Sequence, residues 1–254
     1  MRILLALCLV LAAAGAPGAR AQAVLDGILS RGTLRVGLTG DYRPFSIKDE
    51  TGRYEGLDVD MAESLAKSLG VKLEIVPTTW PTLMRGLLDA RYDLAMGGVT
   101  VTTDRAKTAL FSIPVMKSGK TPIARCTDKD KFNTLADIDK PGTRVIFNPG
   151  GTNDKFAHAN IHRAQLVEFS NNATIFEEIV ANRADVMMTD AVETRLQQKL
   201  HPELCAIHPD APFDHSDLAY MLPRDLMFQQ FVDTWLQVQA QSGERAQAVQ
   251  KWLP

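Results

Sequence analysis

The stretch that decides the fold is Arg183-Ala184-Asp185-Val186-Met187-Met188, a strand pattern that follows a helix pattern starting at Ala173. The same order occurs earlier in the chain, where a helix pattern from Trp80 precedes Arg91-Tyr92-Asp93-Leu94-Ala95-Met96. Recurrence of a helix–strand unit indicates an internal repeat, although chance similarity in one short window is the alternative. We interpret the two units as equivalent parts of two α/β lobes. Two lobes imply a cleft between them.

Strand and helix patterns also alternate near the start of the chain. Thr33 to Leu38 and Lys72 to Val76 are predicted strands. Between them, apolar residues recur at helical spacing and end at a glycine: Leu57, Met61, Leu65, Leu69 and Gly70. This order is typical of an α/β fold, in which helices cover a sheet.

Turn residues indicate where the chain passes between the lobes. Phe111 to Pro114 closes the first lobe, Lys117 to Lys120 opens the crossing, and the chain returns near His208-Pro209. The first lobe is therefore predicted to be discontinuous, 24–115 plus 209–254, and the second to be 116–208. A helix near the carboxyl end is predicted to pack on the first lobe through Phe228, Phe231, Trp235 and Val238.

The first residues have the pattern of a cleaved signal peptide, 1–21. Met1-Arg2 is a short basic start, Ile3 to Ala14 is an apolar run, and Ala19-Arg20-Ala21 is a small-residue cleavage site. The mature chain is then expected to begin near Gln22, in the periplasm. No later segment approaches the roughly 18 apolar residues of a membrane span, so no membrane insertion is expected.

Export leaves two cysteines, Cys126 and Cys205. An even number of cysteines in an oxidising compartment predicts a disulfide between them. The alternative, two buried free thiols, requires a reducing compartment. The formal net charge of the whole chain is −2, and no basic patch suggests nucleic acid as a partner.

Several enzyme signatures are absent from the sequence: the Walker loop, the dinucleotide GxGxxG, the GxSxG elbow and HExxH. His158 and His162 are four residues apart and could bind a metal, but no third ligand is suggested nearby and a solvated helix face explains both. No metal and no cofactor are expected.

Two features of the sequence suit a carboxylate ligand. Gly150 and Gly151 follow a predicted strand, Arg144 to Phe147, and precede a predicted helix, Asp154 to Ile161, whose first N–H groups favour an anion. The guanidinium of Arg105 can hold a carboxylate through two parallel hydrogen bonds. A common turn and a surface ion pair with Asp104 are the alternatives.

Further candidates follow the predicted strands. Trp80 comes just before Pro81, where an indole could cover a flat ring, with core packing as the alternative. Asp41, Tyr42 and Phe45 lie in the turn after the first strand, a usual place for ligands in α/β sheets. A helix or turn cap is the alternative for Asp41. Asp190 and Glu193 are three residues apart and could share one face at a helix start. A helix cap and a solvated face are their alternatives.

The chain resembles the polar amino-acid-binding family of ABC-importer receptors. The resemblance is carried by Thr39-Gly40-Asp41-Tyr42-Arg43-Pro44-Phe45, Gly56-Leu57-Asp58-Val59-Asp60-Met61, Arg105 and Phe111-Ser112-Ile113-Pro114. It implies the two-lobed, periplasmic-binding-protein-like (type II) α/β fold, whose lobes close on a ligand by hinge motion.

More closely, the chain resembles the periplasmic cyclohexadienyl dehydratases, enzymes built on this receptor fold. That similarity includes Val76-Pro77-Thr78-Thr79-Trp80-Pro81, Gly119-Lys120-Thr121-Pro122-Ile123, Asn148-Pro149-Gly150-Gly151-Thr152-Asn153, Met187-Met188-Thr189-Asp190-Ala191-Val192-Glu193 and Leu200-His201-Pro202-Glu203-Leu204-Cys205. Receptors resembling this chain commonly carry Gln at the position of Lys120 and lack the acid at Glu193.

The resemblance implies a role for each candidate residue. Glu193 is the implied general acid, Lys120 a cation beside the leaving group or the ring carboxylate, and Asp41 and Trp80 walls that orient the ring. The residues implied to hold polar groups of the substrate are Thr100, Arg105, Asn148 and Thr152, with Asp190 facing the ammonium of an amino-acid substrate.

The implied reaction is decarboxylative dehydration of prephenate to phenylpyruvate and of arogenate to phenylalanine, so the expected partner is a small molecule. Two alternatives do no chemistry: an importer receptor for an amino acid or aromatic acid, and a silent sensor of aromatic acids. Both leave Lys120 and Glu193 without a purpose.

Overall fold

The computed structural model describes residues 23–253, so the predicted signal peptide lies outside the described residues. The strands are β1 (Thr33–Leu38), β2 (Asp41–Tyr42), β3 (Ser46–Lys48), β4 (Tyr54–Glu55), β5 (Lys72–Pro77), β6 (Leu94–Ala95), β7 (Leu110–Phe111), β8 (Met116–Ser118), β9 (Lys120–Arg125), β10 (Arg144–Phe147), β11 (Gln165–Glu168), β12 (Val186–Asp190), β13 (Leu204–Ala206), β14 (Ser216–Leu218) and β15 (Met221–Leu222).

The α-helices are α1 (Val24–Arg31), α2 (Leu57–Leu69), α3 (Leu83–Leu88), α4 (Thr103–Ala106), α5 (Leu135–Ile138), α6 (Thr152–Asn160), α7 (Ile175–Val180), α8 (Ala191–Leu200), α9 (Leu226–Ser242) and α10 (Glu244–Trp252). Short 3₁₀ helices occupy Trp80–Thr82, Cys126–Lys131 and Asn172–Thr174.

The first lobe is built on a five-stranded sheet in the order β5-β1-β6-β15-β7. Strand β1 runs parallel to β5 and β6, whereas β15 runs antiparallel to β6 and β7. Helix α2 covers this sheet with the predicted apolar stripe, which is buried throughout. It ends at Gly70, whose φ of 69° lies in the left-handed region that favours glycine.

The second lobe is built on a five-stranded sheet in the order β11-β10-β12-β9-β13. Strand β10 is parallel to β11 and β12, and β9 is antiparallel to β12 and β13. All five residues of β12 are buried, because the sheet is covered on both faces. The two sheets share one plan, a parallel core extended by antiparallel strands.

The repeated helix–strand unit occupies equivalent places in the two lobes. Helix α3 leads to β6, which pairs with β1, and α7 leads to β12, which pairs with β10. Each of the two segments contains an aspartate at the same place, and the two aspartates have the same structural role. Asp93 accepts from the backbone N–H of Arg35 and pairs with its guanidinium, and Asp185 makes the same two contacts with Arg144.

Cys126 and Cys205 form the predicted disulfide, which joins the end of β9 to β13 within the second lobe. The carboxyl-terminal helix α9 packs on the first lobe, as expected, with Phe228 and Trp235 buried. The expectation for Val238 was wrong, because its side chain is 52% exposed. The buried stripe continues instead through Leu236.

Strand β8 pairs antiparallel with β14, next to the predicted crossings between the lobes near 116 and 209. The lobe boundaries themselves remain a prediction. None of the helices in residues 23–253 is long and apolar enough to cross a membrane.

Candidate active site

A cavity between the two lobes collects most of the predicted site residues. It is lined by Tyr42, Trp80, Gly98 and Thr100 from the first lobe, and by Asn148, Gly151, Thr152, Asn153, Asn172 and Asp190 from the second. Most of these residues follow a parallel strand of their sheet, as ligand-binding residues of open α/β sheets do.

Lys120 and Asp190 form a buried ion pair at the edge of this cavity. They lie opposite each other on β9 and β12, and Lys120 Nζ is 3.0 Å from Asp190 Oδ1. From the first lobe, the Tyr42 hydroxyl donates to Asp190 Oδ2 over 2.6 Å. Burial raises the pKa of Tyr42 well above its usual value, which keeps that hydroxyl a neutral donor. Both oxygens of Asp190 are therefore occupied.

The Lys120 ammonium has two further acceptors, Thr152 Oγ1 at 3.1 Å and Asn153 Oδ1 at 2.6 Å. An ammonium has three hydrogens to donate, so Lys120 uses all three within the protein. Its position is consequently fixed by α6 as well as by β12.

Glu193 lies in the first turn of α8 and is 1% exposed. The Thr189 hydroxyl donates to its Oε2 over 2.5 Å. Burial raises the pKa of Glu193 to about 8, helped by the charge of Asp190, while Lys120 and the Thr189 hydrogen bond oppose the rise. Burial thus outweighs the nearby lysine, and a pKa of about 8 favours the protonated carboxyl at neutral pH.

Trp80 and Asp41 are joined in the first lobe, since the indole Nε1 donates to Asp41 Oδ1 over 3.1 Å. The ring of Trp80 meets Tyr42 edge to face, with centroids 5.8 Å apart. Burial raises the pKa of Asp41. Trp80 therefore forms a positioned wall of the cavity.

Arg105 does not line this cavity but lies in an adjoining hollow that Trp80 and Thr152 also line. It is half-buried, donates from Nη1 to the Thr100 carbonyl over 2.7 Å, and lines that hollow with Gly150. Thr100 itself reaches the cavity, where its hydroxyl is 3.2 Å from that of Thr152 in the other lobe. Arg105 therefore contacts the cavity wall through the backbone of Thr100.

The turn at Gly150 and Gly151 differs from the predicted anion-binding turn. Helix α6 begins at Thr152, two residues before the predicted start, and Gly151 precedes it at the cavity wall. The Gly150 N–H donates to the carboxylate of Asp154 over 2.7 Å, so the chain's own acid occupies that donor.

Of the two histidines weighed as metal ligands, His158 is exposed and pairs with Asp154 at 2.8 Å. Within residues 23–253, no group of three or more His, Cys, Asp or Glu side chains is placed to hold a metal ion.

Sequence reasoning placed Tyr42 in a turn that is a usual place for ligands but did not predict its contact with Asp190. It missed three other contributors to the site. Asn153 stood within a quoted segment without this role, and Thr189 could have been suspected because it lies four residues before Glu193. Asn172 had no local signal, because its partner is the backbone of Asp41 in the other lobe.

The sequence matches the family of bacterial extracellular solute-binding proteins, family 3, over residues 34–254. The cyclohexadienyl dehydratase of Pseudomonas aeruginosa is 52% identical over 246 residues, which cover 97% of this chain and 91% of that protein. The L-cystine-binding protein TcyJ of Escherichia coli strain K12 is 30% identical over 169 residues, 66% of this chain and 63% of that protein.

Two solved structures extend the comparison. An ancestral amino-acid-binding protein described as a precursor of cyclohexadienyl dehydratase superposes with a TM-score of 0.84 at 37% identity, covering 91% of this chain and 99% of that one. An ancestral cyclohexadienyl dehydratase is 52% identical with a TM-score of 0.58, covering 92% of this chain and 98% of that one. The predicted two-lobed fold and the similarity to the dehydratases are confirmed. The chain belongs to family 3 of the bacterial extracellular solute-binding proteins.

Proposed function

We propose that this protein is a dehydratase that converts prephenate to phenylpyruvate, releasing carbon dioxide and water. The observation that carries the proposal is Glu193, a buried carboxylic acid close to the cavity residue Asp190, 1% exposed and with a pKa raised to about 8, which favours the protonated form at neutral pH. A passive receptor has no need of a buried proton donor. The 52% identity to the dehydratase of Pseudomonas aeruginosa supports the same reaction.

The reaction needs one proton. The ring carboxylate leaves as carbon dioxide, and the electron pair of its carbon–carbon bond enters the ring. The ring becomes aromatic as the bond to the ring hydroxyl breaks. The hydroxyl oxygen takes a proton from Glu193 and leaves as water, and solvent later returns a proton to Glu193. A positioned acid of this kind accelerates such a step by about a hundred- to ten-thousandfold.

Lys120 and Thr189 make Glu193 a stronger acid than burial alone would leave it. Both favour the carboxylate, Lys120 through its charge and Thr189 through its hydrogen bond. They therefore stabilise the group in the state that it reaches after the proton has left. Burial keeps the proton on Glu193 at neutral pH, and the contacts with Lys120 and Thr189 favour its release during the reaction.

The cavity wall holds the substrate. In this proposal Trp80 covers the ring, and Asp41 orients Trp80 through the indole hydrogen bond. The hydroxyls of Thr100 and Thr152 and the amide of Asn148 bind the polar groups of the substrate. Arg105 contributes through the Thr100 carbonyl that it holds.

Arogenate, which carries an ammonium, undergoes the same chemistry to give phenylalanine. Asp190 is its proposed partner, and each carboxylate oxygen can accept a second hydrogen bond beside the one from Lys120 or Tyr42. The substrate ammonium would then lie close to the Lys120 ammonium, and because like charges repel we expect a higher KM for arogenate than for prephenate. Asp190→Asn should reduce arogenate turnover more than prephenate turnover, and equal losses would argue against this contact.

The family of extracellular solute-binding proteins supports a secreted or periplasmic location. We propose the periplasm, reached by cleavage after residue 21, with lobes of 24–115 plus 209–254 and 116–208. Mass spectrometry of the exported protein should give an amino terminus near Gln22.

The deciding experiment incubates mature protein with a large excess of prephenate at neutral pH and follows phenylpyruvate by its ultraviolet absorbance in alkali. Glu193→Gln should lower kcat by about a hundredfold or more. Glu177→Gln is the matched control, because Glu177 is exposed on α7 of the same lobe. Stoichiometric binding without turnover would make the protein a receptor instead.

A further inference from the structure

Asn172 is a buried cleft residue with half of its amide unused. It follows β11 at the start of a 3₁₀ helix, is 4% exposed and lines the cavity between the lobes. Its Nδ2 donates across the cleft to the backbone carbonyl of Asp41 over 3.0 Å. Its Oδ1 is buried, and no described residue donates to it.

The orientation of this amide follows from its partner. The Asp41 carbonyl can only accept, so the amide atom facing it must be the nitrogen, and the oxygen must be the unpaired atom. Buried acceptors in proteins nearly always have a donor, because leaving one unpaired destabilises the fold. Because Asn172 lies in the wall of the cavity, its unpaired oxygen is available to a donor on a bound ligand.

We propose that Asn172 binds substrate, its Oδ1 accepting a hydrogen bond from the ring hydroxyl. This inference rests on the proposed function. The two carboxylates and the ketone of prephenate only accept hydrogen bonds, so the ring hydroxyl is the one donor that the molecule has. The unpaired acceptor of Asn172 and the single donor of prephenate are complementary.

This contact favours the reaction itself as well as binding. As the hydroxyl oxygen takes a proton and becomes water, its hydrogens gain positive charge and the hydrogen bond to Oδ1 strengthens. An interaction that is stronger in the transition state than in the ground state raises kcat. Phenylpyruvate lacks the ring hydroxyl, so the product does not make this contact.

Two other roles for Asn172 predict different results. A residue that only holds the lobes together through Asp41 would affect substrate and product binding alike. A residue whose Oδ1 meets the ammonium of arogenate would leave prephenate turnover unchanged.

The test compares Asn172→Leu and Asn172→Ala with Asn171→Ala, whose target is the exposed neighbouring residue. The kcat/KM values are measured for prephenate and arogenate, and the Kd of phenylpyruvate is measured by tryptophan fluorescence. Both Asn172 variants also lose the contact with Asp41, so the Kd of phenylpyruvate should rise by up to about tenfold. The kcat/KM with either substrate should fall by about 10- to 100-fold beyond that rise. Asn171→Ala should behave like the unaltered protein.

The alternatives overturn the inference in distinct ways. A fall in kcat/KM matched by an equal rise in the Kd of phenylpyruvate would show that Asn172 is only a contact between the lobes. Unchanged prephenate turnover would show that Asn172 takes no part in the reaction. Thermal unfolding shows whether each variant is folded. If the leucine variant does not fold, the alanine variant alone is compared with the unaltered protein. Failure of the unaltered protein to turn over prephenate would instead overturn the proposed function, and this inference with it.

Discussion

Glu193 should set the pH dependence of the rate. Its pKa is raised to about 8 by burial, and only the protonated form can donate. The kcat for prephenate should therefore be constant near neutral pH and fall above about pH 8, approaching a tenfold loss per pH unit. A profile of kcat between about pH 6 and 10 tests this. A fall centred near the ordinary carboxyl pKa would show that Glu193 is not the acid.

Replacing Lys120 should lower the stability of the fold and also change the pH dependence of kcat. Lys120→Met leaves Asp190 buried with only the Tyr42 hydroxyl, and removing one partner of a buried pair destabilises a protein by about 3–5 kcal/mol. Because Lys120 lowers the pKa of Glu193, the variant should also hold its proton to higher pH and donate it less readily. Chemical denaturation and the kcat profile measure the two effects.

Lys107→Met is the matched control for that variant. Lys107 pairs with Asp104 at 2.9 Å, but both side chains are exposed, at 72% and 66%. An exposed pair contributes about 0–1 kcal/mol to stability, so this variant should keep its stability and show the same fall of kcat at alkaline pH as the unaltered protein. Equal destabilisation of the two variants would contradict the special role of the buried pair.

At the scale of secondary-structure elements, the local sequence pattern predicted the limits of several strands and helices. Strands β1 and β10 and helix α2 have the predicted limits. Their apolar spacing and the terminating Gly70 are properties of the segment itself. Helix α9 shows where this fails, because Val238 lies off the stripe that actually contacts the sheet and is exposed. The direction from which a helix is covered is not encoded in its own residues.

Gly150 should be required because the lobes approach each other closely there. An added Cβ would lie 2.5 Å from Pro81 Cγ in the first lobe, and the φ of Gly150 is +83°. Gly142 has a φ of +91° but nothing within 4 Å. Alanine at either position strains the backbone by about 1–2 kcal/mol. Only Gly150→Ala should hinder closure, lowering kcat/KM by about 10- to 100-fold in steady-state assays.

Equal activity losses in the two alanine variants would assign the effect to backbone strain. A loss confined to Gly150→Ala, with similar melting temperatures for both, would assign it to the contact between lobes.

At the scale of the whole molecule, the site depends on contacts that no local pattern contains. Single strand ends supplied the candidates Asp41, Trp80 and Asp190, and the resemblance to the dehydratases supplied Lys120. The cavity does bring Trp80 and Asp190 together. The joining contacts cross the cleft, from Tyr42 to Asp190 and from Asn172 to Asp41. They bring together residues more than a hundred positions apart. Only the relative placement of the two lobes determines such pairs, which is why the residues could be predicted from sequence and their partners could not.

Tyr42 should control the balance between open and closed lobes. Its hydroxyl donates across the cleft to the charged Asp190 over 2.6 Å, and a buried hydrogen bond to a charged group contributes about 1.5–3 kcal/mol. Tyr42→Phe removes this bond while keeping the ring that packs on Phe45. The ratio of closed to open molecules should fall by about 10- to 100-fold, because the open form loses nothing.

Small-angle X-ray scattering with saturating phenylpyruvate measures that change as a larger radius of gyration for Tyr42→Phe than for the unaltered protein. Tyr54→Phe is the matched control, since Tyr54 is a half-buried tyrosine of the same lobe whose hydroxyl makes no hydrogen bond to a described residue. Its radius should match that of the unaltered protein. Equal compaction of both variants would mean that the cleft closes without the Tyr42 hydroxyl, and that this hydroxyl serves only as a hydrogen-bond donor to Asp190.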